Sequence, residues 1–297
     1  MQELAYWIWL SRIEDINRKA LFKLLEKYKT PENLWNMHVG VADHSYPGTC
    51  GQVPLQYKNI IDKITDMKYR QQLDKYIEYM DKNNIEIITI YDKEYPDKLK
   101  EIYDPPISLY VKGDKTIFSN PSISIIGCRK CSKYGENTAE KFAYDLASNN
   151  INIISGLARG IDTYAHMGAL AAKGKTAAVV GSGLDRVYPP ENKAVFEKII
   201  ETGGAVISEY VIGTKPAARN FPERNRIISG ISNGVVVVEA KEKSGTLITV
   251  NFALEQGRDV YAVPGNIDNP NSCGTNRLIK EGARLITEPG EILEDLM

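Results

Sequence analysis

From Ser122 to Gly265 the sequence alternates short, β-branched apolar runs with longer stretches of helical spacing. Ile123, Ile125 and Ile126 stop at Gly127, Ile151–Ile154 stops at Ser155-Gly156, and Thr176–Val180 stops at Gly181. Ala205–Ser208, Val235–Glu239 and Val260–Val263 follow, the last before Pro264-Gly265. Between them the pattern predicts helices over about 136–148, 162–172, 192–202 and 248–255. Strands this short and apolar, separated by helices, pair in parallel and are covered on both faces. The expected fold class is α/β, with a Rossmann-like doubly wound, mainly parallel sheet. Such a sheet takes its ligands outside the carboxyl ends of the strands.

The first 82 residues read as a separate helical domain. Ala5, Ile8, Trp9 and Ile13 recur at near-helical spacing, as do Ala20, Leu21, Leu24 and Leu25. Thr30-Pro31-Glu32 has the order of an N-cap, an N1 proline and a first-turn acid. Residues 39–54 predict a loop; Ile60, Ile61 and Ile64, then Leu73, Ile77 and Met80, mark two more helices. Short helices joined this way suit a small bundle of the sterile-alpha-motif or helix-hairpin-helix kind. The expected domains are 1–82, helical, and 83–297, Rossmann-like, with 83–113 as connector and edge strands. A last helix is expected over about 291–296.

Composition sets limits. Of 297 residues, 43% are hydrophobic and 25% charged, which excludes a disordered, collagenous or disulfide-dense chain. No apolar run approaches the roughly 20 residues of a membrane span. The N-terminus lacks a basic segment before an apolar one, so no membrane partner and a cytoplasmic location are expected. The net charge is −1, and neither the part up to Asn120 nor the rest has a basic excess. Positive charge for a nucleic acid must therefore be local. Cys128-x-x-Cys131 is one pair where a zinc site usually needs two, and His38, His44 and His166 have no ligand spacing. Two small residues in a turn of a reduced protein is the plainer reading, and no metal or cofactor is expected.

Four glycine-bearing turns fall at the expected carboxyl ends. They are Gly127-Cys128-Arg129-Lys130, Ser155 to Gly160, Gly181-Ser182-Gly183, and Ser244-Gly245-Thr246. A helix N-terminus presents unpaired N–H groups and partial positive charge, and so suits a phosphate. Arginine beside such a turn adds a forked donor. Neither G-x-G-x-x-G nor a P-loop pattern is present. The segment Lys215 to Arg226 holds four basic residues against one acid, with Phe221 in its middle. Arg129, Lys130, Lys133, Lys173 and Lys175 add further charge. Cations on phosphates and an aromatic under a base are what single-stranded nucleic acid needs.

The stretch from Tyr95 to about Leu285 resembles the DNA-processing protein A family (DprA, also called Smf). The resemblance rests on Ile126-Gly127-Cys128-Arg129, Ile154 to Asp162 with Ala165-His166, and Gly181 to Asp185 with Tyr188-Pro189. It continues through Ser208-Glu209-Tyr210, Phe221 to Gly230, Val238-Glu239-Ala240, Ser244 to Thr249 and Ala262 to Gly265. It implies a protein of natural transformation that binds and protects incoming single-stranded DNA. It also implies loading of a RecA-type recombinase and a homodimer joined through the Rossmann-like domain. Carried over by residue, one phosphate falls to Gly127 and Arg129, and the next to Ser155, Gly156 and Arg159, with Lys175 nearby. Phe221, Arg224, Asn225 and Arg226 lie over the strand, although Arg224 or Arg226 could instead anchor the fold. Ser244, Gly245 and Thr246 form the far wall, and His166 reads as packed core. Many members continue into a winged-helix domain, whereas this sequence ends at Met297. Cys128 stands where serine is usual. The dimer implies an exposed apolar patch, with Ile227, Ile228, Ile231, Val250, Phe252 and Leu254 as candidates.

The competing class is a nucleotide-processing enzyme of the Rossmann-like phosphoribohydrolase type, marked by G-G-x-G-T-x-x-E. Here Thr249 stands in the glutamate's place. Cleavage through an oxocarbenium-like state wants a carboxylate beside the scissile bond. A metal nuclease would want clustered carboxylates, whereas Asp162, Asp185, Glu209 and Glu239 are scattered over the strand ends. A binding protein is expected, not an enzyme.

Overall fold

The computed structural model describes residues 2–14, 16–36 and 55–296. His38, His44, Cys50 and the loop expected over 39–54 lie outside the described residues. Six helices lead the chain: α1 (Gln2–Ser11), α2 (Arg18–Tyr28), α3 (Pro31–Asn36), α4 (Leu55–Thr65), α5 (Met67–Arg70) and α6 (Leu73–Lys82). Then follow β1 (Ile85–Thr89), α7 (Asp97–Lys100), β2 (Ser108–Gly113), β3 (Ser122–Gly127), α8 (Lys133–Ser148), β4 (Asn152–Ser155) and α9 (Ile161–Ala171). The chain continues with β5 (Thr176–Val180), α10 (Lys193–Glu201), β6 (Ala205–Ser208), α11 (Asn220–Ile231), β7 (Gly234–Glu239) and α12 (Thr246–Glu255). It closes with β8 (Asp259–Ala262), α13 (Cys273–Lys280), β9 (Arg284–Leu285) and α14 (Gly290–Leu296).

The strands make one sheet in the order β1-β2-β6-β5-β4-β3-β7-β8-β9. β2 is antiparallel to both β1 and β6, and every other pairing is parallel. The parallel part starts at β3, runs outward through β4 and β5 to β6, and then returns through α11 to β7 on the other side of β3. Strand order therefore reverses between β3 and β7, where a doubly wound sheet opens its crevice.

Each strand serves two cores, because successive side chains point to opposite faces. Ala177 and Val179 meet Ile227, Ile228 and Val250 from α11 and α12. Ala178 and Val180 share the other face with Phe196 of α10 and with Trp9, Leu21, Leu25 and Leu34 of the N-terminal helices. Farther along that face, Ile125, Ile153 and Val236 pack on Phe142, Leu146 and Ala165 of α8 and α9. The predicted strands and helices appear within a few residues of their expected places. Strand β9, too short to show a period, and α13 were not anticipated.

The expected apolar patch needs correction. Ile227, Ile228, Ile231 and Val250 are buried, because α11 and α12 pack side by side on one face of the sheet and spend their apolar faces there. Leu254 is 61% exposed, and Ile248 and Leu285 also reach the surface.

Two charged pairs tie the N-terminal helices to the sheet. Arg18 of α2 contacts Asp104 at 2.7 Å and Glu209 at 3.0 Å. Arg226 of α11 reaches the same Glu209 at 2.8 Å and Asp104 at 3.3 Å. Burial alone would raise the Glu209 carboxyl, but Arg226 and then Arg18 outweigh it and hold its pKa below the ordinary value.

Candidate nucleic-acid interface

The carboxyl edge of the parallel sheet has a buried floor and an exposed rim. Arg224, 3% exposed, forms the floor. Its Nη1 donates to the carbonyl oxygens of Gly156, at 2.6 Å, and Val179. Burial, the largest influence, holds its pKa down at about 10, while the Asp162 carboxylate opposes that fall. Asp162 is buried too, and burial raises its pKa against the pull of Arg224. Its carboxylate accepts the N–H groups of Gly156 at 3.1 Å and Ala158 at 3.3 Å. A side chain on Gly156 would stand 2.6 Å from that carboxylate and 2.7 Å from the Arg224 guanidinium. Ser155 is spent on the same layer, donating to the Ile125 carbonyl at 2.7 Å.

The next turn is closed in the same manner. The buried Glu239 at the end of β7 accepts the Ser132 N–H at 2.9 Å and the Ser132 hydroxyl at the head of α8. Ser132 in turn caps the helix by accepting the Gly135 N–H at 3.1 Å. Gly127 is held between α9 and β7, where a Cβ would stand 2.6 Å from the Ile161 side chain. Gly160 turns back with φ +74°, and a Cβ there would meet the Cys128 carbonyl at 2.2 Å. Two of the four turns that sequence spacing offers to a phosphate therefore have N–H groups engaged by the protein's own carboxylates.

At these two turns, contacts with an anion come from the rim side chains. Arg129 is exposed at the end of β3, with its guanidinium 5.4 Å from the centre of the Phe221 ring. Phe221, in the first turn of α11, lies 5.6 Å from the Tyr188 ring. Its ring edge rests 3.2 Å from where a Gly181 Cβ would stand, so a larger residue in that turn would press on the aromatic. Arg159, exposed and paired with Glu191, lies against Tyr188 on the other side. The result is a row across the ends of β3 to β5: cation, aromatic, aromatic, cation. Lys130 extends it on one side, and Lys215 and Arg219 precede α11 on the other. Guanidinium forks suit phosphate oxygens, and open aromatic faces suit unpaired bases.

Residues 86–297 match the family model described as DNA recombination-mediator protein A. The chain belongs to that family. Protein Smf of Escherichia coli is 43% identical over 227 residues, which cover 76% of this chain. The chain spans 61% of the length of that relative. Among solved structures, DNA processing protein A from Streptococcus pneumoniae has a TM-score of 0.76 at 37% identity, covering 98% of this chain and 97% of that one. The Helicobacter pylori protein has a TM-score of 0.64 at 29% identity, covering 71% of this chain and 95% of that one. Its structure is described for its single-stranded DNA binding mode.

Within this recombination-mediator fold, the residues singled out in the sequence fall into three sets, with Asn225 and Lys175 outside them. Arg129, Arg159 and Phe221 stand on the rim. Ser244, Gly245 and Thr246 are at the head of α12, past the end of β7, where the Ser244 hydroxyl accepts the Thr246 N–H at 3.2 Å. Gly127, Ser155, Gly156, Arg224 and Arg226 form the packed layer beneath, with Arg226 in the Glu209–Asp104 network. Asn225 is half-buried, accepting from Arg224 Nε at 3.3 Å. Lys175 is not brought to this edge. It precedes β5, at the amino end of the parallel strands, and pairs with Asp114 at 2.7 Å. Tyr188 belongs to the row and was not selected as a contact; its place before Pro189, following the turn at the end of β5, was the available signal. Cys128 is buried, and burial pushes the Cys131 thiol up to about 11, so both stay protonated at neutral pH. Among the described residues no group of His, Cys, Asp and Glu is arranged to hold a metal, and no helix is long and apolar enough to cross a membrane.

Proposed function

We propose that this protein binds single-stranded DNA along the carboxyl edge of its sheet, without strong sequence preference, and acts as a recombination mediator in natural transformation. The observation that carries the reading is the row Arg129–Phe221–Tyr188–Arg159. It sets aromatic faces between cations, and none of its contacts needs a paired base. Membership of the recombination-mediator family and the DNA-binding Helicobacter pylori relative support it. In this reading the protein works in the cytoplasm as a homodimer, protects the incoming strand, loads a RecA-type recombinase onto it and catalyses no reaction itself.

Fluorescence anisotropy with single- and double-stranded oligonucleotides of equal length tests the binding. The single strand should bind more tightly, with affinity falling as salt rises at a log–log slope of about −0.7 per phosphate contacted. Tighter duplex binding, or affinity indifferent to salt, overturns the reading. Loading is tested by recombinase filament formation on DNA coated with single-strand-binding protein, which this protein should accelerate.

A further inference from the structure

We infer that the bound single strand continues past Arg129 along the carboxyl edge to a second base-contacting station formed by Tyr134 and Ile267. This rests on the rim reading above and extends it to the other side of the sheet's crevice. Tyr134 is the second residue of α8 and its side chain is 50% exposed. Its hydroxyl donates to the Pro264 carbonyl at 3.0 Å, which fixes the ring beyond the carboxyl end of β8. Three residues after Pro264, Ile267 is 85% exposed, more than any other large apolar side chain among the described residues.

A single exposed isoleucine is ordinary. This one is held out by a loop fastened at several points. Asn269 N–H donates to the Asn266 carbonyl at 3.0 Å, and Ser272 N–H to the Asn269 carbonyl at 2.9 Å. The Asn276 side chain accepts the Gly265 N–H at 3.2 Å and donates to its carbonyl at 2.9 Å. Asn271 Nδ2 donates to the Lys130 carbonyl at 3.0 Å, tying this loop to the turn that carries Arg129. The loop and the turn carrying Arg129 are thus one hydrogen-bonded unit, which holds Tyr134 and Ile267 on the same carboxyl edge as the row.

Between the two stations lies the end of β7, with exposed Lys241 and Lys243 on the loop that follows. Glu242 and Asp268 offset part of that charge, and Lys133 pairs with Glu136 at 3.0 Å. The second station is therefore mainly apolar. It contacts bases and adds little to the phosphate grip. From β5 to β8 is four strand intervals, roughly 19 Å at about 4.8 Å each. A short oligonucleotide on Phe221 and Arg129 stops short of Tyr134, and a longer one reaches it.

The test is anisotropy with oligothymidylates of increasing length, for the parent protein and for Tyr134→Ala, Tyr134→Phe, Ile267→Ala and Arg129→Ala. Parent and Tyr134→Ala should bind the shortest oligonucleotides alike. On those long enough to span both stations, Tyr134→Ala should bind roughly five-fold or more weakly, with an unchanged salt slope, and Ile267→Ala should lose in the same direction. Tyr134→Phe keeps the ring but loses the bond to Pro264 that fixes it, and should bind the longer oligonucleotides between the parent and Tyr134→Ala. Arg129→Ala should lose affinity at every length, with a shallower slope. Equal binding of parent and Tyr134→Ala at all lengths, or a loss as large on short oligonucleotides as on long ones, overturns the extension while leaving the rim reading standing. Parent-like binding by Arg129→Ala overturns both.

Discussion

The Asp162 carboxylate accepts the Gly156 amide N–H at 3.1 Å, filling the position at the head of α9 where an anion would otherwise be drawn. The carboxylate is buried and its charge is balanced by Arg224. Removing one member of a buried pair leaves the other uncompensated, at about 3–5 kcal/mol. Asp162→Ala should lower unfolding stability by that amount in urea titrations. Adding Arg224→Met should cost less in that background than it does in the parent, because the two residues share one interaction while the Gly156 and Val179 carbonyls lose their donor in both.

The same geometry separates Arg224 from Arg129. Arg224→Ala should lower the melting temperature sharply, since the Gly156 and Val179 carbonyls lose their donor. Arg129→Ala should melt like the parent and bind single-stranded DNA about five- to a hundred-fold more weakly, the loss of one charge-assisted contact. Lys175→Ala, at the far end of the sheet, should leave DNA affinity unchanged. Melting curves and anisotropy on the three variants check all of this.

His166 provides a pH dependence. Thr176 donates its hydroxyl to the Ile153 carbonyl at 2.7 Å, so at 2.7 Å from His166 it acts as acceptor from Nδ1–H. Nε2 is buried without a partner. Burial, and then Arg224, lower the imidazole pKa from 6.5 to about 3. Below pH 6.5 the unfolded chain takes up a proton that the folded one refuses, so stability is full above that value and falls as pH drops toward 3. One such group costs about 2 kcal/mol between pH 6.5 and pH 5. Urea titrations of the parent and of His166→Gln should diverge by this amount over that range; parallel curves refute it.

The proposed dimer now rests on Leu254, 61% exposed near the end of α12. Light scattering at micromolar concentration should give about 66 kDa, twice the 33.2 kDa chain. Leu254→Glu should shift it toward the single chain with little change in melting temperature. A parent that runs as a single chain refutes the dimer.

The sheet was readable because its strands are continuous Val and Ile runs punctuated by glycine, as in Gly234–Glu239, where all six residues are buried. The rim was readable in part, since Phe221 belongs to a short segment of unusual composition and Arg129 follows a glycine turn at a strand end. The filled turns were not. Glu239 meets Ser132 across 107 positions of sequence, and no local pattern records which carboxylate will face which helix head. The misplacement of Lys175 has a different origin. A residue that precedes a parallel strand lies at the strand's amino end, and that direction alone sets it opposite the binding edge. The burial of Ile227 and Ile228 follows from the long return of α11 across the sheet, a topological fact that periodicity does not carry.

The sheet ends on β9, a strand of two residues. So short an edge offers a second chain almost no backbone to pair with, and short edges are one way natural sheets escape unlimited strand addition. Copies of this protein that meet at that side must do so through side chains. An assembly made this way can part and re-form without either sheet losing a strand.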